Sequence, residues 1–203
     1  MSHVTLLATR RATTLGLATT IAVSASRVFA QTVGPLDRAP LLLARCKAAI
    51  AQFKPTRAEK AIVCDYTQPS NLKRLYIFDF VGGTVTTHLV SHGRGSDRDD
   101  TWTPRGFNGP EGSNTSLVGA MIGAERYQGD HGLSLRLDGL EPATILARPR
   151  DIVVHTASYM EADFVAANKR PGRSFGCFVV QAAVLEEVIA TLETGGLLLS
   201  IGN

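Results

Sequence analysis

The chain has 203 residues, 21 basic and 18 acidic, with 44% hydrophobic and 6% aromatic residues. Its net charge of +3 resides in residues 1–30, which hold Arg10, Arg11 and Arg27 and no acidic residue. The remaining 173 residues carry 18 charges of each sign, a balance that gives no electrostatic footprint for nucleic acid and a length that suits one domain with a sizeable core.

Residues 1–30 read as an export signal: Arg10-Arg11, a mildly apolar run over 15–25, then Val28-Phe29-Ala30 as a small-x-small cleavage pattern. The run is too short and too Thr-rich for a membrane span, so no stable membrane insertion is expected after cleavage; an uncleaved anchor is the alternative. Thr9-Arg10-Arg11 leans toward the twin-arginine route over the general secretory one. The mature protein is therefore expected outside the cytoplasm, periplasmic or associated with the cell wall.

Residues 31–60 form an N-terminal helical segment. Leu41, Leu42, Cys46, Ala49 and Ile50 line one stripe of a helix over 36–53, which Pro55 ends. Strands are predicted over 61–66, 73–81 and 84–91, with Gly82-Gly83 as a two-residue hairpin turn. Residues 93–116 are rich in Gly, Asp, Asn, Ser, Thr and Pro and read as a long functional loop. Short strands follow over 119–122, 133–137 and 151–155, then a short helix over 159–167, an amphipathic helix over 182–192 and a last strand over 197–201. The fold class is mainly β with peripheral helices.

Three cysteines remain after cleavage, and the lack of a Cys-x-x-Cys pair argues against a thioredoxin-like redox enzyme. In an oxidising compartment Cys46 and Cys64 either pair as a disulfide, leaving Cys177 free, or stay as two buried thiols. Four histidines, His88, His92, His131 and His155, also remain, but their spacing fits no compact ligand motif. No metal and no cofactor is expected, and a zinc hydrolase ranks below thiol chemistry.

The thiol chemistry comes from Gly172-Arg173-Ser174-Phe175-Gly176-Cys177 together with His155, which leaves the apolar run Ile152-Val153-Val154. A thiolate nucleophile needs a base beside it, and a glycine turn lets backbone amides approach a developing oxyanion. Cys177 is the candidate nucleophile and His155 its base. Gly176 is the candidate oxyanion turn. Ser174 either orients Cys177, donates to substrate, or merely bonds its own turn, and Arg173 either steers a substrate carboxylate or is solvated.

Further blocks precede that turn in order: Ser91-His92-Gly93-Arg94-Gly95-Ser96, Tyr127-Gln128-Gly129-Asp130-His131-Gly132, Gly139-Leu140-Glu141 and Ile152-Val153-Val154-His155. From about Ala61 to the C-terminus the series resembles the murein L,D-transpeptidase catalytic-domain family, a branch of the YkuD-like cysteine transpeptidases. The resemblance implies a YkuD-like mixed β-sheet sandwich over 61–203, peptidoglycan stem peptides as partners, and His92 and His131 lining the cleft. It also implies the reaction. Cys177 attacks the carbonyl between a third-position diamino acid and terminal D-Ala, and an amine then takes the acyl group to give a 3→3 cross-link. Water in place of the amine gives an L,D-carboxypeptidase. Phe175 and Val179 stand where many members carry His and Asn or Arg, and these departures raise a rival, a catalytically silent peptidoglycan-binding module.

Overall fold

Five consecutive buried residues, 61–65, set the plan of the protein in the computed structural model, which describes residues 30–31 and 36–203. The export signal expected over 1–30 lies, apart from Ala30, outside the described residues. The described chain contains strands β1 (Ala30–Gln31), β2 (Arg57–Asp65), β3 (Leu75–Asp79), β4 (Thr84–His88), β5 (Gly119–Gly129), β6 (Gly132–Gly139), β7 (Val153–Thr156), β8 (Phe178–Val180) and β9 (Gly196–Ile201). Three α-helices accompany them: α1 (Ala39–Phe53), α2 (Ala162–Asn168) and α3 (Ala182–Leu192). The strands form one mixed sheet in the order β1-β4-β3-β2-β9-β5-β6-β7-β8, with β1–β4, β2–β9 and β7–β8 parallel and the other pairs antiparallel.

Successive residues of a strand face opposite sides, so a strand buried throughout needs cover on both. Ala61 and Val63 of β2 pack outward with Tyr76, Phe78 and Val85 under Leu42, Cys46 and Ala49 of α1. Ile62 and Cys64 pack inward with Leu135, Leu137, Val154 and Phe178 against Leu185, Val188, Ile189 and Leu192 of α3. Each such fully buried aliphatic side chain stabilises the fold by about 1.5–3 kcal/mol. Cys46 and Cys64 thus lie on opposite faces of the sheet and are free thiols, so the disulfide alternative is not realised.

The sheet curls until its ends meet, the mixed sandwich that was expected. Ser91, beyond the end of β4, donates its N–H to the Val179 carbonyl of β8 at 3.0 Å. The Ser174 N–H donates to the His92 carbonyl at 2.9 Å, and the Arg94 N–H to the Ser174 carbonyl at 2.8 Å. This seam carries residues 174–177.

Several elements depart from expectation. β5 runs to Gly129, well past residue 122, because its polar outer half pairs with β6 in a ribbon exposed to solvent. β8 was not foreseen. The β3–β4 connection spans four residues instead of two, because the Asp79 carboxylate accepts the N–H groups of Val81 at 3.0 Å and Gly82 at 2.6 Å and so opens the turn earlier.

Candidate active site

β7 and β8 run parallel with Val154 opposite Phe178 and His155 opposite Val179. Val154, Phe178 and Val180 enter the inner core. Alternation therefore turns His155, and Cys177 just before β8, to the other face of the same strand pair. His155 is buried and Cys177 half-buried.

The His155 ring is oriented by its own strand. Nδ1 lies 2.8 Å from the Thr156 carbonyl, and a carbonyl only accepts, so Nδ1 carries the proton and Nε2 is left as the basic nitrogen. His131, at the two-residue tip of the β5–β6 ribbon, stacks on this ring with centroids 4.2 Å apart and planes 14° apart. Burial is the main reason that His155 titrates below the ordinary imidazole value; the Thr156 bond opposes the shift and His131 adds to it.

The Cys177 Sγ–H points to the Asp151 carbonyl at 3.5 Å and not to His155. Burial pushes the thiol up from its ordinary value, while the Val153 amide, Arg150 and the Cys177 amide favour the thiolate. The resting pair is thus neutral thiol and neutral imidazole. Cys46 and Cys64 are pushed up by burial too, Cys46 to about 12.

Ser174 closes the turn. Its Oγ–H donates to the Cys177 carbonyl at 2.8 Å, and the same oxygen accepts the Gly176 N–H at 3.1 Å. The hydroxyl bonds its own turn and thereby orients Cys177. The Gly176 N–H, expected at the oxyanion position, is occupied by that oxygen in this arrangement. Gly176 itself has φ +125°, and a Cβ there would stand 2.7 Å from both Ile152 Cδ1 and the Thr115 carbonyl. Only glycine fits both the conformation and the space.

Arg173 is half-buried and held by the long loop. It donates to the Asp97 carbonyl at 2.5 Å and lies 3.3 Å from the Asp100 carboxylate, tying the long loop to the turn. His92 requires a correction, since its ring is fully buried and does not line the cleft. Arg74, also fully buried, donates to its Nδ1 at 2.7 Å, and the Asp97 carboxylate lies 3.3 Å from Nε2. A guanidinium only donates, so Nδ1 is unprotonated; burial and Arg74 hold His92 well below the ordinary imidazole value. Beneath the seam, His92 supports the Ser174 turn through its carbonyl.

Two neighbours were missed. Arg150 donates to the carbonyls of Gly109 at 2.9 Å and Thr115 at 2.6 Å, and its Nη2 would lie 3.1 Å from a Cβ at Gly176. Tyr159 packs on Gly172, and burial with some repulsion from Cys177 pushes its phenol up to about 12. Neither carries a local sequence signal, because each becomes a neighbour of Cys177 only when β7 and β8 pair. Among the described residues no group of three or more His, Cys, Asp and Glu side chains gathers as a metal site, and no helix is long and apolar enough to cross a membrane.

Comparison with known proteins places these residues in a family context. Residues 41–200 match the family model for the L,D-transpeptidase catalytic domain. No curated protein sequence matches. Among solved structures, an L,D-transpeptidase from Mycobacterium smegmatis aligns at 11% identity and TM-score 0.42 over 71% of this chain and 59% of that one. Bd1075 of Bdellovibrio bacteriovorus aligns at 15% identity and TM-score 0.41 over 71% and 48%. An L,D-transpeptidase from Stackebrandtia nassauensis aligns at 13% identity and TM-score 0.41 over 80% and 65%. The chain spans less than two thirds of the length of each.

Proposed function

Because the chain belongs to the L,D-transpeptidase catalytic-domain family, we propose that it is an exported peptidoglycan L,D-transpeptidase with Cys177 as nucleophile and His155 as base. Residues 1–30 serve as the export signal, 31–60 as a helical brace, and 61–203 as the catalytic domain. The observation that carries the reading is the shared outward face of His155 and Cys177, with the imidazole tautomer set by Thr156.

In this mechanism the thiol leaves Asp151, gives its proton to His155 Nε2, and attacks the carbonyl that joins the diamino acid to D-Ala. A C–S bond forms as the carbonyl becomes an oxyanion beside the Cys177 amide. The C–N bond then breaks, His155 returns the proton to the departing D-Ala amine, and a thioester remains. An acceptor amine from a neighbouring stem loses a proton to His155, attacks the thioester and releases the thiolate, which regains its proton from His155. The product is a 3→3 cross-link.

Intact-mass spectrometry of the mature protein, alone and with a carbapenem or a stem tetrapeptide, tests the reading. The expected result is an adduct that is absent from Cys177→Ala; a variant that still acylates, or a folded wild type that never does, overturns it. Muropeptide analysis separates the outcomes, with 3→3 dimers from transfer and tripeptides from L,D-carboxypeptidase trimming.

A further inference from the structure

Around Cys177 most guanidinium groups are occupied. Arg150 donates to the Gly109 and Thr115 carbonyls, Arg170 to the Asp100 carboxylate, and Arg173 to the Asp97 carbonyl. Arg94 differs. Its guanidinium lies over the Phe175 ring, 4.3 Å from the centroid, and among the described residues no carboxylate or carbonyl accepts from it. Phe175, two residues before Cys177, is 61% exposed, while Tyr66, Tyr76, Phe78 and Phe178 are all fully buried.

The pair is held in place by backbone. The Arg94 N–H donates to the Ser174 carbonyl at 2.8 Å, in the same seam that fixes the nucleophile's turn. A guanidinium stacked on a ring loses little freedom when it binds, and its in-plane N–H groups point away from the ring's face in a fork that matches a carboxylate. The aromatic platform thus holds an unspent, planar cation on the turn that leads into Cys177.

We infer that Arg94, stacked on Phe175, forms a carboxylate subsite for the acyl donor, so the substrate is a peptide bearing a free carboxylate on one of the two residues that flank the scissile bond. This rests on the transpeptidase reading for the identity of that bond. Two carboxylates qualify by chemistry, the terminal one on the departing D-amino acid and the one on the diamino acid side chain.

The test uses the mature Cys177→Ala protein, which binds without turnover, and isothermal titration with three tetrapeptides. These are the free acid, its C-terminal amide, and the form amidated on the diamino acid. The free acid is expected to bind about fivefold more tightly than one of the two amides, and that amide identifies the carboxylate recognised. Arg94→Met should abolish the preference and leave affinity for that amide unchanged. Arg94→Lys should keep part of the preference, and Phe175→Ala should weaken it. Equal binding of all three peptides, no binding of any, or a preference that survives Arg94→Met overturns the subsite. If the preference depends on Arg94 but wild-type Cys177 is never acylated by the free acid, the subsite stands and the transferase reading falls.

Discussion

The guanidinium of Arg150 donates to the Thr115 carbonyl at 2.6 Å, and in doing so fastens the long loop over 93–116 to the segment that leads into β7, beside Gly176 of the Cys177 turn. One residue therefore does two things: it fixes a loop and sets a positive charge near the thiol.

Arg150→Met removes both. Hydrogen bonds from a charged group are worth about 1.5–3 kcal/mol, and at this half-buried position the lower end applies. Melting is expected to fall by roughly 5 °C and iodoacetamide alkylation of Cys177 to slow several-fold at pH 8. Arg150→Lys should recover more of the alkylation rate than of the stability, because lysine keeps the charge without the planar fork. Identical alkylation rates in wild type and Arg150→Met would rule out any electrostatic effect on the thiol.

The neutral resting pair has its own pH signature. With the thiol raised and the imidazole lowered, thiolate accumulates only as pH rises above the ordinary cysteine value of about 8.5. Alkylation of the native protein, followed by peptide mapping, should climb steadily through alkaline pH and fall on Cys177, since Cys46 and Cys64 are buried. A rate already at its plateau at pH 6 would mean a preformed thiolate–imidazolium pair instead.

Gly176→Ala meets two obstacles, a positive φ and a Cβ 2.7 Å from Ile152 Cδ1 and the Thr115 carbonyl. The strained backbone alone costs about 1–3 kcal/mol, and moving Thr115 disturbs the acceptor of Arg150. Loss of stability together with loss of acylation is expected; a variant that acylates at the wild-type rate would show that the turn relaxes freely.

Two buried histidines and one half-buried one make stability depend on mild acid. His88, His92 and His155 all titrate below the ordinary imidazole value, chiefly through burial. The unfolded chain therefore takes up protons near pH 6.5 that the folded chain refuses, and stability, full above that pH, is lost as pH falls below it. The melting temperature should decline between pH 7 and pH 5. His92→Asn, whose side-chain oxygen can still accept from Arg74, should lower melting at pH 7.5 and flatten the decline. The same slope in wild type and variant would remove His92 from the account.

That His155 and Cys177 belong to one candidate site was legible because the cues are local: a histidine leaving an apolar strand, and a cysteine after a serine–glycine turn. Helix α3 and the central strands were legible from apolar spacing alone. What escaped depends on the seam. His92 ends a strand in sequence like any candidate ligand, and only closure of the sheet buries its ring between Arg74 and Asp97. Arg150 reads as an ordinary charge before a strand until the loop folds onto it. The opposite facing of Cys46 and Cys64 follows from the helix and the strand packing on different sides of the sheet, which spacing does not encode.

The position of β9 gives the fold a timetable. Residues 196–201 fill the middle of the sheet, between β2 and β5, so neither half can register on the other until that segment has left the ribosome. Cys177 and His155 both precede it in the chain, and the pairing of β7 with β8 brings them together within one half of the sheet. A chain that has not yet released this segment thus carries both residues on a half of the sheet still unregistered against the other.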